Sequence, residues 1–148
     1  MGYAVLHIDK ARSNDSGNTA HIARTYTPSN VDPSRTRLNR ELVQFPANVT
    51  NRSEAIEHRI ATAGIYRKVA KNQVKALRFI LSSSPEDMAR IEQEGLLYEW
   101  CDESMDWLRS TFGADNVVAA TLHADEDTPH IHATVVPIVT GESRKAKE

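Results

Sequence analysis

Three of the six histidines in this 148-residue chain fall within ten residues, His123-Ala124-Asp125-Glu126-Asp127-Thr128-Pro129-His130-Ile131-His132, where random placement would put about 0.4. Side chains alternate along a strand, so His130 and His132 share one face and Ile131 points to the other. If a hairpin pairs in register across the acidic segment, His123 falls beside them. Three imidazoles then form a half-shell with open positions for water or substrate. Neutral imidazoles suit zinc, manganese, iron or nickel better than calcium. Glu126 is read as a fourth ligand or as a base for metal-bound water, and Asp125 and Asp127 as solvated turn residues.

The flanking runs supply that hairpin. Residues 117–123 and 130–139 are rich in β-formers, and Thr128-Pro129 closes the segment between them. Residues 3–9 predict a first strand, residues 13–18 a loop, residues 35–42 a short helix and residues 74–81 another strand. Asn51 with Glu54 resembles a capping box for a helix carrying Ile56 and Ile60, which Gly64 ends. Ser84-Pro85-Glu86-Asp87 combines an N-cap, a first-turn proline and early acids. Beyond it, Leu97, Trp100, Cys101, Ser104, Met105, Leu108 and Phe112 recur at helical spacing and predict an apolar stripe laid on something flat. The expected fold is α+β, an antiparallel β-sheet flanked by helices.

Length and composition fit one packed domain: 40% of residues are hydrophobic and 26% charged. The net charge of -2 hides an asymmetry. Residues 1–80 hold 13 Lys and Arg against 6 Asp and Glu, or +7, and residues 81–148 hold 5 against 14, or -9. The basic half is a candidate polyanion-binding surface, provided the charges do not interleave in space. No stretch is apolar enough for a signal peptide or a membrane span, and the single Cys101 has no partner for a disulfide, which together predict a cytoplasmic protein with no membrane association. The final residues, 141–148, bring no closing element, so a domain spanning 1–148 and truncated at its C-terminal end is expected.

The pattern His-x-Asp-Glu-x-x-Pro-His-x-His, from His123 to His132, resembles the metal motif of the MobV (Mob/Pre) plasmid mobilisation relaxases. His21-Ile22-Ala23-Arg24 is similar to the first motif of that family. Asn30 through Pro33, with Arg35, Leu38, Asn39 and Leu42, is similar to its second. These relaxases belong to the HUH endonucleases, whose His-hydrophobe-His triplet His130-Ile131-His132 matches. The resemblance implies an antiparallel sheet with that triplet on a central strand and Mn2+ or Mg2+ bound there. It also implies single-stranded DNA and origin-of-transfer DNA as partners, cleavage of one strand with covalent attachment to the 5′ phosphate, later rejoining, and oligomerisation through a C-terminal region missing from this chain.

The same resemblance makes His21 the nucleophile. An imidazole of pKa near 6.5 is largely neutral at pH 7, whereas the rival Tyr26, near 10, needs help to ionise. Arg24 is expected to grip the phosphate and keep that imidazole neutral, Arg35, Arg37 and Arg40 to contact phosphates of the DNA, and Asn39 to reach a base of it or cap a turn. His7 lies outside the motifs and is read as structural. Two enzyme alternatives share the metal: a rolling-circle replication initiator, whose nucleophile normally follows the metal motif although no tyrosine follows residue 98, and a metal-dependent phosphoesterase. A non-catalytic DNA-binding module with a closed zinc site is the third.

Overall fold

The computed structural model describes residues 5–13, 15–25, 28–64 and 74–138. In chain order these form β1 (Val5–Ala11), α1 (Ser16–Ile22), a 3₁₀ turn (Pro33–Leu38), β2 (Arg40–Glu41), α2 (Arg52–Thr62), β3 (Ala76–Ser82), α3 (Pro85–Gln93), α4 (Leu97–Phe112), β4 (Val117–His123) and β5 (His130–Val135). The strands make one sheet in the order β1-β3-β5-β4-β2, antiparallel at every pairing. β5 is therefore central, as expected for the strand carrying the histidine triplet, and helices flank both faces.

Register decides which side chains meet. His123 pairs with His130, and Thr121 with His132, so β4 and β5 present all three histidines on one face. The row through His132 continues to Ile80 on β3 and His7 on β1. His7 stands exposed there and is not the packed residue its structural reading implied. Toward the other end of this face, Ala55 and Ile56 of α2 pack on Ala11, Ala76, Ala119 and Val136. The opposite face carries the larger core: Phe79, Leu81, Leu122 and Ile131 from the strands lie against Met88 of α3 and Leu97, Cys101, Met105 and Leu108 of α4. The predicted stripe is thus real, and each large side chain it buries contributes about 1.5–3 kcal/mol of transfer free energy.

Local signals set most boundaries. The Asn51 side chain accepts from the Glu54 amide, and Glu54 Oε1 accepts from the Thr50 amide, closing the start of α2. Gly64, at φ +72, follows its last turn in the left-handed conformation that glycine adopts without strain. The Ser84 side chain caps α3, with Pro85 in its first turn.

Four expectations need correction. Residues 16–18 of the predicted loop belong to α1, entered through Asp15 at φ 59. The predicted helix over 35–42 is a 3₁₀ turn that gives way to β2. The Asp32 side chain caps the Ser34 amide and Pro33 starts the turn, but Asn39 turns extended so that β2 can pair with β4. The strand predicted over 74–81 runs from Ala76 to Ser82, and β5 ends at Val135, short of the 139 expected. Among the described residues no helix is long and apolar enough to cross a membrane.

Cys101 is 1% exposed, and burial, with a smaller contribution from Asp102, pushes its thiol up to about 12. With almost no thiolate and no access, it is expected to ignore iodoacetamide at pH 8 in the folded protein and to react fully in guanidinium chloride. Mass spectrometry reads both states. Rapid native labelling would mean that α4 is not seated on the sheet.

Candidate metal centre

The centre begins with two imidazoles whose protonation the backbone fixes. His123, fully buried at the end of β4, lies with Nε2 2.8 Å from the Ile22 carbonyl oxygen. A carbonyl only accepts, so Nε2 carries the proton and Nδ1 is left with a lone pair and no hydrogen-bond partner. His130 repeats the device: Nδ1 donates to the Thr128 carbonyl at 2.8 Å, and Nε2 is left to face His132 Nε2 at 3.2 Å. Glu126 Oε2 stands 3.3 Å from His130 Nε2 and 3.5 Å from His123 Nδ1. One atom each from His123, Glu126, His130 and His132 lies within 4.8 Å of the others.

Convergent lone pairs on buried nitrogens repel one another unless a proton or a metal ion sits among them. Protons are disfavoured. Burial is the main cause that lowers the His123 pKa to about 4; the Ile22 carbonyl opposes it, the Arg24 and His130 charges add to it, and Glu126 opposes it least. Burial also drops His132 to about 2, helped by His123, His130, His21 and Arg24. Three neutral imidazoles, two of them with the distal N–H held by a carbonyl, form a donor set suited to a divalent transition metal. The residues therefore fit the metal that the sequence pattern implies, and Glu126 joins them.

The segment after His123 holds the centre together. Asp125 is 1% exposed, so its reading as a solvated turn residue is wrong; Asp127 is exposed, as expected. Arg24 Nε and Nη2 donate to the two Asp125 carboxylate oxygens at 3.0 and 2.9 Å, and Nη2 also donates to Glu126 Oε2 at 2.8 Å. Thr36 Oγ1 and Asn39 Nδ2 donate to Asp125 Oδ2 at 2.8 and 3.1 Å. Burial alone would raise the Asp125 pKa, but these hydrogen bonds and the guanidinium charge outweigh it and hold the carboxyl well below the usual carboxylate range.

These contacts change the roles expected for several residues. Arg24 was expected to grip phosphate, but its Nη1 donates to the His21 carbonyl at 2.8 Å, and Nε and Nη2 serve the two carboxylates. It braces the centre. Asn39, expected to contact DNA, is engaged within the protein: its Oδ1 accepts from the Ala124 amide at 2.7 Å while its Nδ2 serves Asp125. Arg35 is half-exposed, with Nε on the Ala124 carbonyl and Nη2 on Glu92 at 2.7 Å. Arg37 is exposed. Asn30 Nδ2 donates to Glu126 Oε1 at 3.0 Å, and the Asp32 amide to the Asp125 carbonyl at 2.8 Å. Sequence reasoning found Asn30 and Asn39 by resemblance but missed Thr36 and the buried role of Asp125, which no periodicity marks in a loop.

His21 occupies the last turn of α1, close enough for its charge to disfavour protonation of His132. α1 is anchored from beneath. Arg52 of α2 forms an ion pair with Asp15 at 2.9 Å and donates to Thr134 on β5 and to Thr19, while Thr19 and Ser53 share a hydroxyl hydrogen bond at 2.8 Å. Tyr26 lies outside the described residues.

The chain is similar to known proteins along its whole length. A family model described as plasmid recombination enzyme, Mob_Pre, matches residues 1–148. Plasmid recombination enzyme type 3 of Staphylococcus aureus is 31% identical over 156 residues, covering 100% of this chain and 37% of that protein. A plasmid recombination enzyme of a Bacillus species is 30% identical over 148 residues, covering 95% of this chain and 34% of its own length. The chain thus spans little more than a third of the curated relatives it matches. Among solved structures, a manganese-bound MobM relaxase domain in complex with plasmid pMV158 oriT DNA superposes with a TM-score of 0.81 at 27% identity, over 97% of this chain and 76% of that one.

Removing one partner of a buried ion pair strands the other charge, at a cost of about 3–5 kcal/mol. Asp125→Ala is expected to lose that much in urea unfolding, whereas Asp127→Ala, two residues along and exposed, stays within about 0.5 kcal/mol. Equal effects would return Asp125 to the solvent.

Proposed function

The chain belongs to the plasmid recombination enzyme (Mob/Pre) family, and from that premise we propose that residues 1–148 are a relaxase domain that nicks and rejoins one strand of origin-of-transfer DNA for plasmid mobilisation. The observation that carries the reading is the convergence of ring nitrogens of His123, His130 and His132, with Glu126 beside them and His21 close by. The solved relative with the same overall fold holds manganese and oriT DNA together.

His123, His130 and His132 would hold Mn2+ or Mg2+, with Glu126 as fourth ligand. When bound, the ion polarises the scissile phosphate and offsets charge gathering on its oxygens. His21 is the nucleophile. Its neutral nitrogen attacks phosphorus, a P–N bond forms, the bond from phosphorus to the 3′ oxygen breaks, and the 3′ oxygen leaves as a hydroxyl after taking up a proton. Rejoining reverses the step, with the 3′ hydroxyl attacking the phosphoramidate. Arg24, fixed by Asp125, holds the His21 carbonyl and so the end of α1, which sets where the imidazole sits. Cleavage without release of the 5′ end suits a site built from fixed side chains.

Arg37 is left as a phosphate contact, and Arg35 braces the loop while remaining part-exposed. The reaction is placed in the cytoplasm, where a lone buried thiol stays reduced, and self-assembly is assigned to the portion of the longer relatives that this chain does not span.

His130→Ala or His132→Ala is expected to abolish manganese binding in calorimetry and metal-dependent nicking of single-stranded oligonucleotides tiled across the DNA beside the gene, while DNA binding survives better. Either variant nicking at the parental rate would exclude the metal assignment. The covalent adduct is expected on His21 as a phosphoramidate, labile in mild acid because protonated nitrogen leaves readily. His21→Ala loses adduct and cleavage, and Tyr26→Phe keeps both. An acid-stable adduct that vanishes in Tyr26→Phe and persists in His21→Ala would transfer the role to Tyr26.

A further inference from the structure

Behind the metal loop, on the α3–α4 face of the sheet, a cleft opens between the 3₁₀ turn and the start of α4, lined by Leu38, Glu92, Gly95, Leu97, Tyr98 and Ala124. Its walls are chiefly apolar. Ala124 adjoins His123 in the chain, so the cleft and the metal centre share one loop. Glu92 carries no free charge into it, because its carboxylate is paired with Arg35 at 2.7 Å. Gly95 turns the chain from α3 toward α4 at φ +72 with open space where a side chain would stand, which keeps that wall low.

At the rim, Tyr98 is 46% exposed and Leu96 38%. The guanidinium carbon of Arg40 lies 5.3 Å from the centre of the Tyr98 ring, in cation–π range. Arg40 is held in that pose by its Nη1, which donates to the carbonyls of Arg37 and Asn39 at 3.0 Å each. The exposed Arg37 flanks it. A guanidinium within cation–π range of an exposed phenol, beside an apolar cleft and a second cation, joins the two features that recognise single strands without reading sequence: an aromatic platform and positive charge for the adjoining phosphates.

We propose that Tyr98 and Arg40, with the cleft beside them, bind one unpaired nucleobase of the DNA strand that the metal centre cleaves, with Arg37 on the neighbouring phosphate. The proposal rests on the nicking function and adds a second point of attachment to it. An apolar floor and an aromatic edge accept any base, so this contact holds the strand without selecting sequence. It orients the strand across the metal loop and leaves recognition of the cleavage site to other contacts.

The test uses the tightest-binding oligonucleotide from the tiled set, with 2-aminopurine placed at successive positions. Wild-type protein is expected to quench the fluorescence of one position, and Tyr98→Ala to abolish that quenching and weaken binding by about 5- to 150-fold. Tyr98→Phe, which keeps the ring, restores both. Arg37→Ala lowers the dependence of log affinity on log salt by about one. Unchanged affinity and quenching in Tyr98→Ala would overturn the platform while leaving the nicking function standing. Loss of affinity that Tyr98→Phe does not restore, or self-association lost in Tyr98→Ala with DNA affinity unchanged, would also overturn it. A wild-type chain that neither binds nor cuts any oligonucleotide would overturn both.

Discussion

A single buried carboxylate organises this protein. Asp125 lies out of contact with water, where an unpaired charge would cost several kcal/mol, and it is retained only because donors from two distant segments surround it. Arg24 brings the end of α1, and Thr36 and Asn39 bring the 3₁₀ turn, to the loop that follows β4. Since the loop also starts at His123 and contains Glu126, closing the carboxylate's shell closes the metal centre. The dependence runs both ways: Arg24 loses more to burial than to any other single influence, yet hydrogen bonds to Asp125 and Glu126 and their charges raise its pKa overall. The guanidinium stays charged and in place.

That arrangement accounts for a backbone oddity. Arg24 has φ 57, a left-handed conformation that costs a side-chain-bearing residue about 1–2 kcal/mol, and a glycine there would relax it. Glycine would also remove the guanidinium that spans Asp125, Glu126 and the His21 carbonyl. The strain is retained because the contacts it permits exceed it, and it fixes the turn immediately after His21. The centre is thereby positioned before any ligand arrives, with tautomers set by the Ile22 and Thr128 carbonyls and no side chain needing to search for its pose.

What the sequence revealed and what it concealed divide along the range of the interactions. The pairing of His130 with His132 follows from a two-residue period, the α4 stripe from a helical one, and the caps at Asn51 and Ser84 from contacts within four residues; all are present in the fold. Placement of His123 required only the in-register hairpin. Asp125 was misread because its partners are 86 to 101 residues away, and the first of three consecutive acids in a turn carries no local mark of burial. For the same reason the segment around Arg35 read as a helix: its side chains recur suitably, but Asn39 is drawn into extended backbone by its bonds to the metal loop. The Mob/Pre resemblance identified the second motif's residues, while their task as a brace on residues 124–126 became visible only in three dimensions.

The division of charge between the two halves of the chain takes its meaning from the same contacts. Arg24 pairs with Asp125 and Glu126, and Arg35 with Glu92, so cations of the basic half neutralise acids of the other half. Counterion release scales with the phosphates a protein neutralises, and a cation already paired with a carboxylate contributes little to it. Part of the excess read from sequence is therefore a folding charge rather than a DNA-binding one. Under the proposed function, a strand held at such a centre would draw affinity from the exposed cations at the β2 edge, from an ion at the histidines and from its bases. The surface is consequently suited to a strand whose bases are unpaired, because in a duplex they are stacked on one another and unavailable to an aromatic side chain.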